Sequence, residues 1–247
     1  MSAFLAAVRF LTILPAPGFR GRTDEDLARS VPYFPIVGLL IGALAAASDY
    51  ALGFAFPVSV RSVVTVTFLL VISGGLHLDG LADTADGFFS GRQPARVLEI
   101  MRDSRTGPMG VGAVVCVAGL KAVALACLPA PVRWKAILLA PTAGRCAAVL
   151  MMAVLLYARS DGGMGSLFGV DRRIPGVISA CVVLGAVGWF GMGFAGITAA
   201  VASVMVSLAF SAYSRRRIGG FTGDTLGAVS EIVELVPLLT AAAWVSN

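Results

Sequence analysis

Three aspartates with helical spacing are the strongest chemical signal in this sequence. Asp79, Asp83 and Asp86 lie in the run from His77 to Gly87, and on an α-helix they fall within an arc of about 60°. Carboxylates on one face repel one another, and a bound cation would relieve the repulsion. We predict Mg²⁺ there, because it takes oxygen ligands and bridges a few carboxylates to substrate phosphates. The alternative is a solvated helix rim, which would not need the small residues between the aspartates.

A second acidic group lies in the last apolar stretch, at Asp224, Glu231 and Glu234. On a helix Glu234 is about 15 Å further along than Asp224, at a depth where ionisable residues are usually functional or paired. We predict that Asp224 and Glu231 help to bind the substrate or the cation. For Glu234 we favour structural pairing with Lys121 or Arg145, which also stand inside apolar stretches.

The segment from Arg102 to Gly110 has a composition that suits a phosphate group. Guanidinium groups hold phosphate oxygens in pairs, and glycines let backbone N–H groups approach an anion. We therefore predict substrate contacts from this segment, made by Arg102, Asp103, Ser104 and Arg105. The alternative is that its cations only anchor the chain at a membrane surface, a role that needs neither hydroxyls nor glycines. We interpret the arginines at 215–217 in that way.

His77 is the only histidine in the chain. Its place beside the aspartates makes it a candidate general base. A buried structural imidazole is an equally good interpretation, so we include His77 with Asp83 and Asp86 as candidate catalytic residues without choosing the base.

The elements that carry these residues are predicted to cross a membrane. The chain is 57% hydrophobic and 13% charged, whereas soluble domains have roughly 45–50% and about 25%. We predict an all-α, polytopic integral membrane protein, with residues 1–247 forming a single transmembrane catalytic domain and Ala3 to Leu14 a short interfacial helix. The seven predicted spans are Phe34–Phe54, Val63–Leu78, Val111–Leu128, Ala136–Tyr157, Ile174–Phe190, Phe194–Tyr213 and Leu226–Val245.

The cations between the spans indicate the orientation. Short cytoplasmic loops are enriched in Lys and Arg. Loops on the other side hold Arg61, Arg133 and Lys135, against thirteen cations on the first side: Arg20, Arg22, Arg29, Arg92, Arg96, Arg102, Arg105, Arg159, Arg172, Arg173, Arg215, Arg216 and Arg217. This asymmetry predicts a cytoplasmic N-terminus and a cytoplasmic active site in a bacterial inner membrane. It also explains the net charge of +5 without nucleic acid as a partner.

Two segments share a pattern of glycines and acidic residues. In the first segment three residues separate the Gly74-Gly75 pair from Asp79. In the second, three residues separate the Gly219-Gly220 pair from Asp224. We do not interpret this similarity as a duplication. It marks the two segments that carry most of the predicted acidic site.

The ordered motifs resemble those of the cobalamin synthase family, the adenosylcobinamide-GDP ribazoletransferases. The resemblance rests mainly on the runs from Gly74 to Gly87 and from Glu99 to Gly110, and it extends to the run from Gly219 to Gly227. It implies a Mg²⁺-dependent membrane enzyme. Its substrates would be adenosylcobinamide-GDP and α-ribazole, or α-ribazole 5′-phosphate; its products would be adenosylcobalamin, or the 5′-phosphate, and GMP.

Two other functions fit some of the same residues. A membrane prenyltransferase also uses aspartate-rich motifs to bind Mg²⁺ and pyrophosphate, and it would release inorganic pyrophosphate. A cation-coupled transporter would use Glu234, Lys121 and Arg145 as an ion path and would leave its substrate chemically unchanged. The sequence leaves the metal count, the preferred acceptor and a homo-oligomeric state open.

Overall fold

The regular structure of the described residues is helical. The computed structural model describes residues 2–15, 24–159 and 173–246. In order, these ranges contain α1 (Ser2–Leu11), α2 (Asp24–Ala28), a 3₁₀ helix (Val31–Tyr33), α3 (Phe34–Leu52), α4 (Val58–Ile72), α5 (Leu76–Phe88), α6 (Pro94–Ile100), α7 (Pro108–Ala126), α8 (Ala130–Val154), α9 (Arg173–Met192), α10 (Phe194–Ile218) and α11 (Gly223–Val245).

The length and composition of these helices confirm an all-α, polytopic membrane protein. Among the described residues, six helices are long and apolar enough to span a membrane, and α4 with α5 makes a seventh if the bent pair is one span. Three of the predicted topology arginines, Arg20, Arg22 and Arg172, lie outside the described residues, as does the side chain of Arg173.

Helix α8 forms the centre of the bundle. It packs against α3, α9, α10 and α11, and most of its residues are buried. Helix α3 approaches it through Gly38 and Gly42, where an added Cβ would lie 2.6 Å from the Pro141 carbonyl oxygen and 2.5 Å from that of Leu138. Small residues four apart let two membrane helices come close enough for their backbones to touch.

The second predicted span does not continue as one helix. The prediction of a helix from Val63 to Leu78 is wrong beyond Ile72, where α4 ends. Gly74 and Gly75 then adopt φ values of +62° and +73°, which glycine accepts without steric cost. The chain turns by 91° into α5. The acidic motif therefore occupies a separate helix, nearly perpendicular to the span before it.

The N-terminal helix packs on the bundle through one side. Ala7 and Leu11 are buried in the core, and the Phe10 ring stacks on Phe34 with centroids 5.8 Å apart, while Arg9 is exposed. The helix ends at Leu11, three residues before the predicted end. Its location at a membrane interface stays a prediction.

A buried ion pair joins α3, α4 and α8 at the C-terminal end of α3. Arg133 donates from Nε to Asp49 Oδ2 at 2.9 Å and from Nη2 to Asp49 Oδ1 at 2.6 Å. Its Nη1 donates to Ser62 Oγ at 3.0 Å and to the Leu125 carbonyl oxygen at 2.5 Å. Thr65 Oγ1 adds a hydrogen bond to Asp49 Oδ1 at 3.0 Å. Both buried charges are therefore compensated by direct partners within this network.

Asp49→Ala should destabilise the protein strongly. The substitution leaves the Arg133 guanidinium buried without a counter-charge, which typically costs about 3–5 kcal/mol. We expect a clear fall in the midpoint of thermal unfolding of the detergent-solubilised protein. Lys135→Ala, which removes a partly exposed cation at the same end, is the control and should leave the midpoint nearly unchanged. The double variant Asp49→Leu/Arg133→Met should recover much of the loss; equal midpoints for Asp49→Ala and wild type would contradict this role.

Candidate active site

The three aspartates of α5 share an accessible face of a mostly buried helix. Asp79 is exposed, and Asp83 and Asp86 are half-buried. Residues on the remaining surface of α5, such as Leu81 and Phe88, are each only 4% exposed. The predicted common face is therefore present in the structure.

Two glycines bring α11 against α5. A Cβ at Gly80 would lie 2.6 Å from the Asp224 carbonyl oxygen, and one at Gly227 would lie 3.0 Å from the His77 carbonyl oxygen. Any larger residue at either position would force the helices apart. At this separation, Asp224 joins the acidic face of α5.

Four carboxylates converge at this contact. Asp79, Asp86 and Asp224 all lie close enough to Asp83 to repel its negative charge, and Arg159 is the cation that offsets part of this repulsion. We call Asp79, Asp83, Asp86 and Asp224 the acidic cluster. The sequence predicted all four as site residues, and the structure brings them together.

Arg159 is a site residue that the sequence analysis counted only as a topology determinant. Its Nη2 donates to Asp224 Oδ2 at 2.8 Å, and its buried Nε has no hydrogen-bond partner among the described residues. The neighbouring backbone is held by Phe221, whose carbonyl oxygen accepts from Ala158 N at 2.8 Å and whose N–H donates to Leu156 at 2.9 Å. No local pattern around Arg159 distinguishes it from the other loop arginines.

Asp86 caps the N-terminus of α7. Its Oδ2 accepts from Gly107 N at 2.6 Å and its Oδ1 from Gly110 N at 2.8 Å. The positive end of a helix dipole favours a carboxylate at this position. We predicted that these glycine N–H groups would approach a substrate phosphate; in the structure Asp86 binds them instead.

The loop before α7 carries the predicted phosphate-binding side chains. Arg105 forks onto Asp103, with Nε to Oδ1 at 3.0 Å and Nη2 to Oδ2 at 2.7 Å. This hydrogen-bonded pairing lowers the pKa of Asp103 to about 2. Arg102 and Ser104 are exposed. With Asp86, the Arg105–Asp103 pair lines an open cleft of about 220 Å³.

Glu231 and Glu234 lie deeper, in a buried network of charges. Lys121 Nζ donates to Glu231 Oε2 and to Glu234 Oε2, both at 2.6 Å. Arg145 Nη1 donates to the other oxygen of Glu234. The predicted pairing of Glu234 is thus confirmed. Glu231 shares the same cation, and its substrate role stays a prediction.

His77 connects this network to the cleft beside the cluster. Arg145 Nη2 lies 3.3 Å from His77 Nδ1. A guanidinium can only donate, so Nδ1 accepts and the proton of the neutral ring is assigned to Nε2. His77 also lines a cleft of about 120 Å³ with Asp79 and Asp224. His77 therefore both contacts Arg145, as a structural residue would, and lines the cleft, as a catalytic residue would.

The acidic cluster suits a cation that is shared with a substrate. In residues 2–15, 24–159 and 173–246, no group of three or more His, Cys, Asp or Glu side chains is arranged to hold a metal ion by itself. Mg²⁺ usually takes only one or two protein carboxylates and completes its shell with water and substrate phosphates. Asp79 and Asp83, on the accessible side of α5, fit that donor set.

The chain is similar to a family of corrinoid-assembling enzymes along nearly its whole length. The family model described as cobalamin-5-phosphate synthase matches residues 3–242. Relatives named adenosylcobinamide-GDP ribazoletransferase come from Roseiflexus sp. (strain RS-1), 43% identical over 95% of this chain and 87% of the relative, and from Geotalea daltonii, 40% identical over 97% and 96%. No solved structure matches the chain. With one model and many relatives matching from end to end, the protein belongs to the cobalamin-5-phosphate synthase family.

Proposed function

We propose that this protein transfers the adenosylcobinamide phosphate group from adenosylcobinamide-GDP to α-ribazole or α-ribazole 5′-phosphate and releases GMP. The observation that carries the proposal is the acidic cluster, in which three carboxylates surround Asp83 and Arg159 supplies a partial counter-charge through its contact with Asp224. A diphosphate with a divalent cation has the charge pattern that complements such a site. Family membership supports the same substrates.

The transfer makes one P–O bond and breaks another. The 3′-hydroxyl of ribazole attacks the phosphorus next to cobinamide, the bond from that phosphorus to the bridging oxygen breaks, and GMP leaves with that oxygen. Mg²⁺, when bound, would neutralise the charge that develops on the diphosphate. Asp79 and Asp83 are the residues we propose to hold it, and Asp86 would keep them positioned through its cap on α7.

The proton of the attacking hydroxyl needs an acceptor within hydrogen-bonding reach. The Nδ1 lone pair of His77 is used by Arg145 and the other ring nitrogen carries the proton, so the neutral ring has no free lone pair for a second proton. An aspartate of the cluster is the better acceptor. We propose Asp83, which has Asp79, Asp86 and Asp224 around it.

Arginines on two sides of the cluster would orient the phosphates. Arg159 contacts Asp224 directly. Arg105 is 86% exposed at its side chain, so it can turn from Asp103 to a ligand, and Arg102 and Ser104 stand beside it in the exposed loop. Since cytoplasmic loops carry most of the arginines, we propose that this end of the bundle faces the cytoplasm of a bacterial inner membrane.

The direct test of the proposal is product formation. Purified protein in detergent is incubated with adenosylcobinamide-GDP, α-ribazole 5′-phosphate and Mg²⁺, and GMP is quantified by chromatography. We expect GMP and a cobalamin product in equal amounts, and none when either substrate is omitted. Release of inorganic pyrophosphate, or no chemical change at all, would contradict the proposal.

Asp83→Asn should nearly abolish turnover. The amide removes one negative charge from the cluster and cannot accept the hydroxyl proton, and loss of acid–base catalysis typically costs about 10²–10⁴ in rate. We expect GMP release to fall by at least about a hundredfold, with a higher Mg²⁺ concentration needed for half-maximal rate. Glu25→Gln, an exposed carboxylate paired with Arg29, is the matched control. A folded Asp83→Asn enzyme with a near wild-type rate and Mg²⁺ dependence would disprove the assignment.

Arg159→Ala should separate binding of the diphosphate from binding of Mg²⁺. Without the guanidinium, a phosphate contact is lost, so KM for adenosylcobinamide-GDP should rise about tenfold. The cluster also becomes more negative, so half-maximal activity should need less Mg²⁺. The measurement is a set of initial rates over both concentrations, and Arg216→Ala, an exposed arginine at the end of α10, is the control. If Arg159 had only a structural role, its removal would not raise KM for adenosylcobinamide-GDP while lowering the Mg²⁺ concentration needed for half-maximal activity.

A further inference from the structure

A second cleft lies at the opposite end of the bundle from the acidic cluster. Phe34, at the start of α3, lines the cleft beside Asp79 and Asp224, whereas Asp49, near the end of the same helix, lines a cleft of about 600 Å³. At 1.5 Å per residue these two positions are roughly 22 Å apart along α3. The proposed transfer reaction uses no group in this second cleft.

The second cleft holds one cation more than its acid can compensate. Asp49 is the acidic residue among its lining side chains, and Arg61 and Arg133 are the cations. Arg133 donates direct hydrogen bonds to Asp49. The Nε atom of Arg61 lies 3.8 Å from Asp49 Oδ1, which is too far for a hydrogen bond. That buried Nε has no hydrogen-bond partner among the described residues. A mostly buried guanidinium with an unused donor is costly unless an anion binds it.

Arg61 packs against the residue that follows α3. A Cβ at Gly53 would lie 2.4 Å from Arg61 Nη1, so the guanidinium lies directly over this glycine. A methyl group at this position would therefore displace the guanidinium from the edge of the cleft.

The rest of the cleft lining is apolar. Tyr50, Phe54 and Trp134 line it and are 71%, 80% and 47% exposed. Aromatic side chains of this kind are enriched where a membrane protein meets the headgroup region. The cleft therefore combines one uncompensated cation with an apolar wall at the end of three helices.

We propose that this cleft binds a phospholipid, with its phosphate on the Arg61 guanidinium and an acyl chain against the aromatic wall. A guanidinium fork matches phosphate oxygens in geometry and charge. Free phosphate would use only that contact, whereas a phospholipid also buries the exposed aromatic surface. Because the cleft offers both the Arg61 guanidinium and the aromatic wall, it fits a phospholipid better than free phosphate.

The test compares phosphatidylglycerol binding among matched variants by native mass spectrometry in a mild detergent. Wild type should retain the lipid, and Arg61→Ala should bind it about tenfold more weakly or worse, because a charge-assisted contact to phosphate is lost. Gly53→Ala keeps the charge but displaces the guanidinium, and it should weaken binding in the same direction. Arg216→Ala removes an exposed arginine outside the cleft, at the end of α10, and should bind as wild type does.

A second measurement separates the lipid from a soluble anion. Phosphatidylglycerol should raise the midpoint of thermal unfolding of wild type and not of Arg61→Ala, while inorganic phosphate should raise neither. The proposal is overturned if Arg61→Ala and Gly53→Ala, both folded, bind the lipid as wild type does. It is also overturned if Arg216→Ala loses binding equally, or if inorganic phosphate stabilises the protein as much as the lipid.

Discussion

The compensation of buried charge governs this structure. A carboxylate inside a membrane bundle is costly unless a cation or hydrogen-bond donors meet it, and most carboxylates within the described helices obey this rule. Glu231 and Glu234 share Lys121 and Arg145, and Asp49 has Arg133. The acidic cluster is the exception. Asp86 has the N–H groups of α7 and Asp224 has Arg159, but within the described residues Asp79 and Asp83 have no such direct partner. Negative charge in excess at one accessible place is what makes a cation site there plausible on physical grounds.

The backbone maintains this excess by bringing two helix starts together. Gly74 and Gly75 before α5, and Gly219 before α11, all have positive φ, so each helix begins directly after a sharp turn. Gly80 and Gly227 then permit the close contact between the two helices. The two segments with similar glycine and acid spacing are therefore the ones whose helices pack on each other. Such a contact could not form if either helix continued straight from the span before it.

The sequence predicted the parts of the site that depend on local periodicity. The common face of Asp79, Asp83 and Asp86 follows from helical spacing alone, and six of the predicted spans correspond to α3 and α7 to α11 within a few residues. The end of α4 was missed because only Ser73, Gly74 and Gly75 separate the apolar run that ends at Ile72 from Leu76, although the Gly74-Gly75 pair was a turn signal.

Long-range pairings were beyond the reach of sequence reasoning. Lys121 and Glu231 are 110 residues apart, so nothing local distinguishes a paired glutamate from a ligand, and Glu231 was grouped with Asp224 by proximity along the helix. The same limit applies to Arg159, whose partner Asp224 lies on another element. The use of Gly107 and Gly110 by Asp86 was hidden for the same reason, because composition alone cannot say which anion meets a helix N-terminus.

The buried network has a consequence for the acidic cluster as well as for stability. Its members come from four helices: His77 from α5, Lys121 from α7, Arg145 from α8 and the two glutamates from α11. Since removal of any ionised partner would leave a buried charge uncompensated, the four helices are held in one relative arrangement. Asp79 is half a helical turn from His77, and the start of α11 carries Asp224. The contacts that neutralise the interior of the bundle are therefore the same contacts that fix where the uncompensated carboxylates stand.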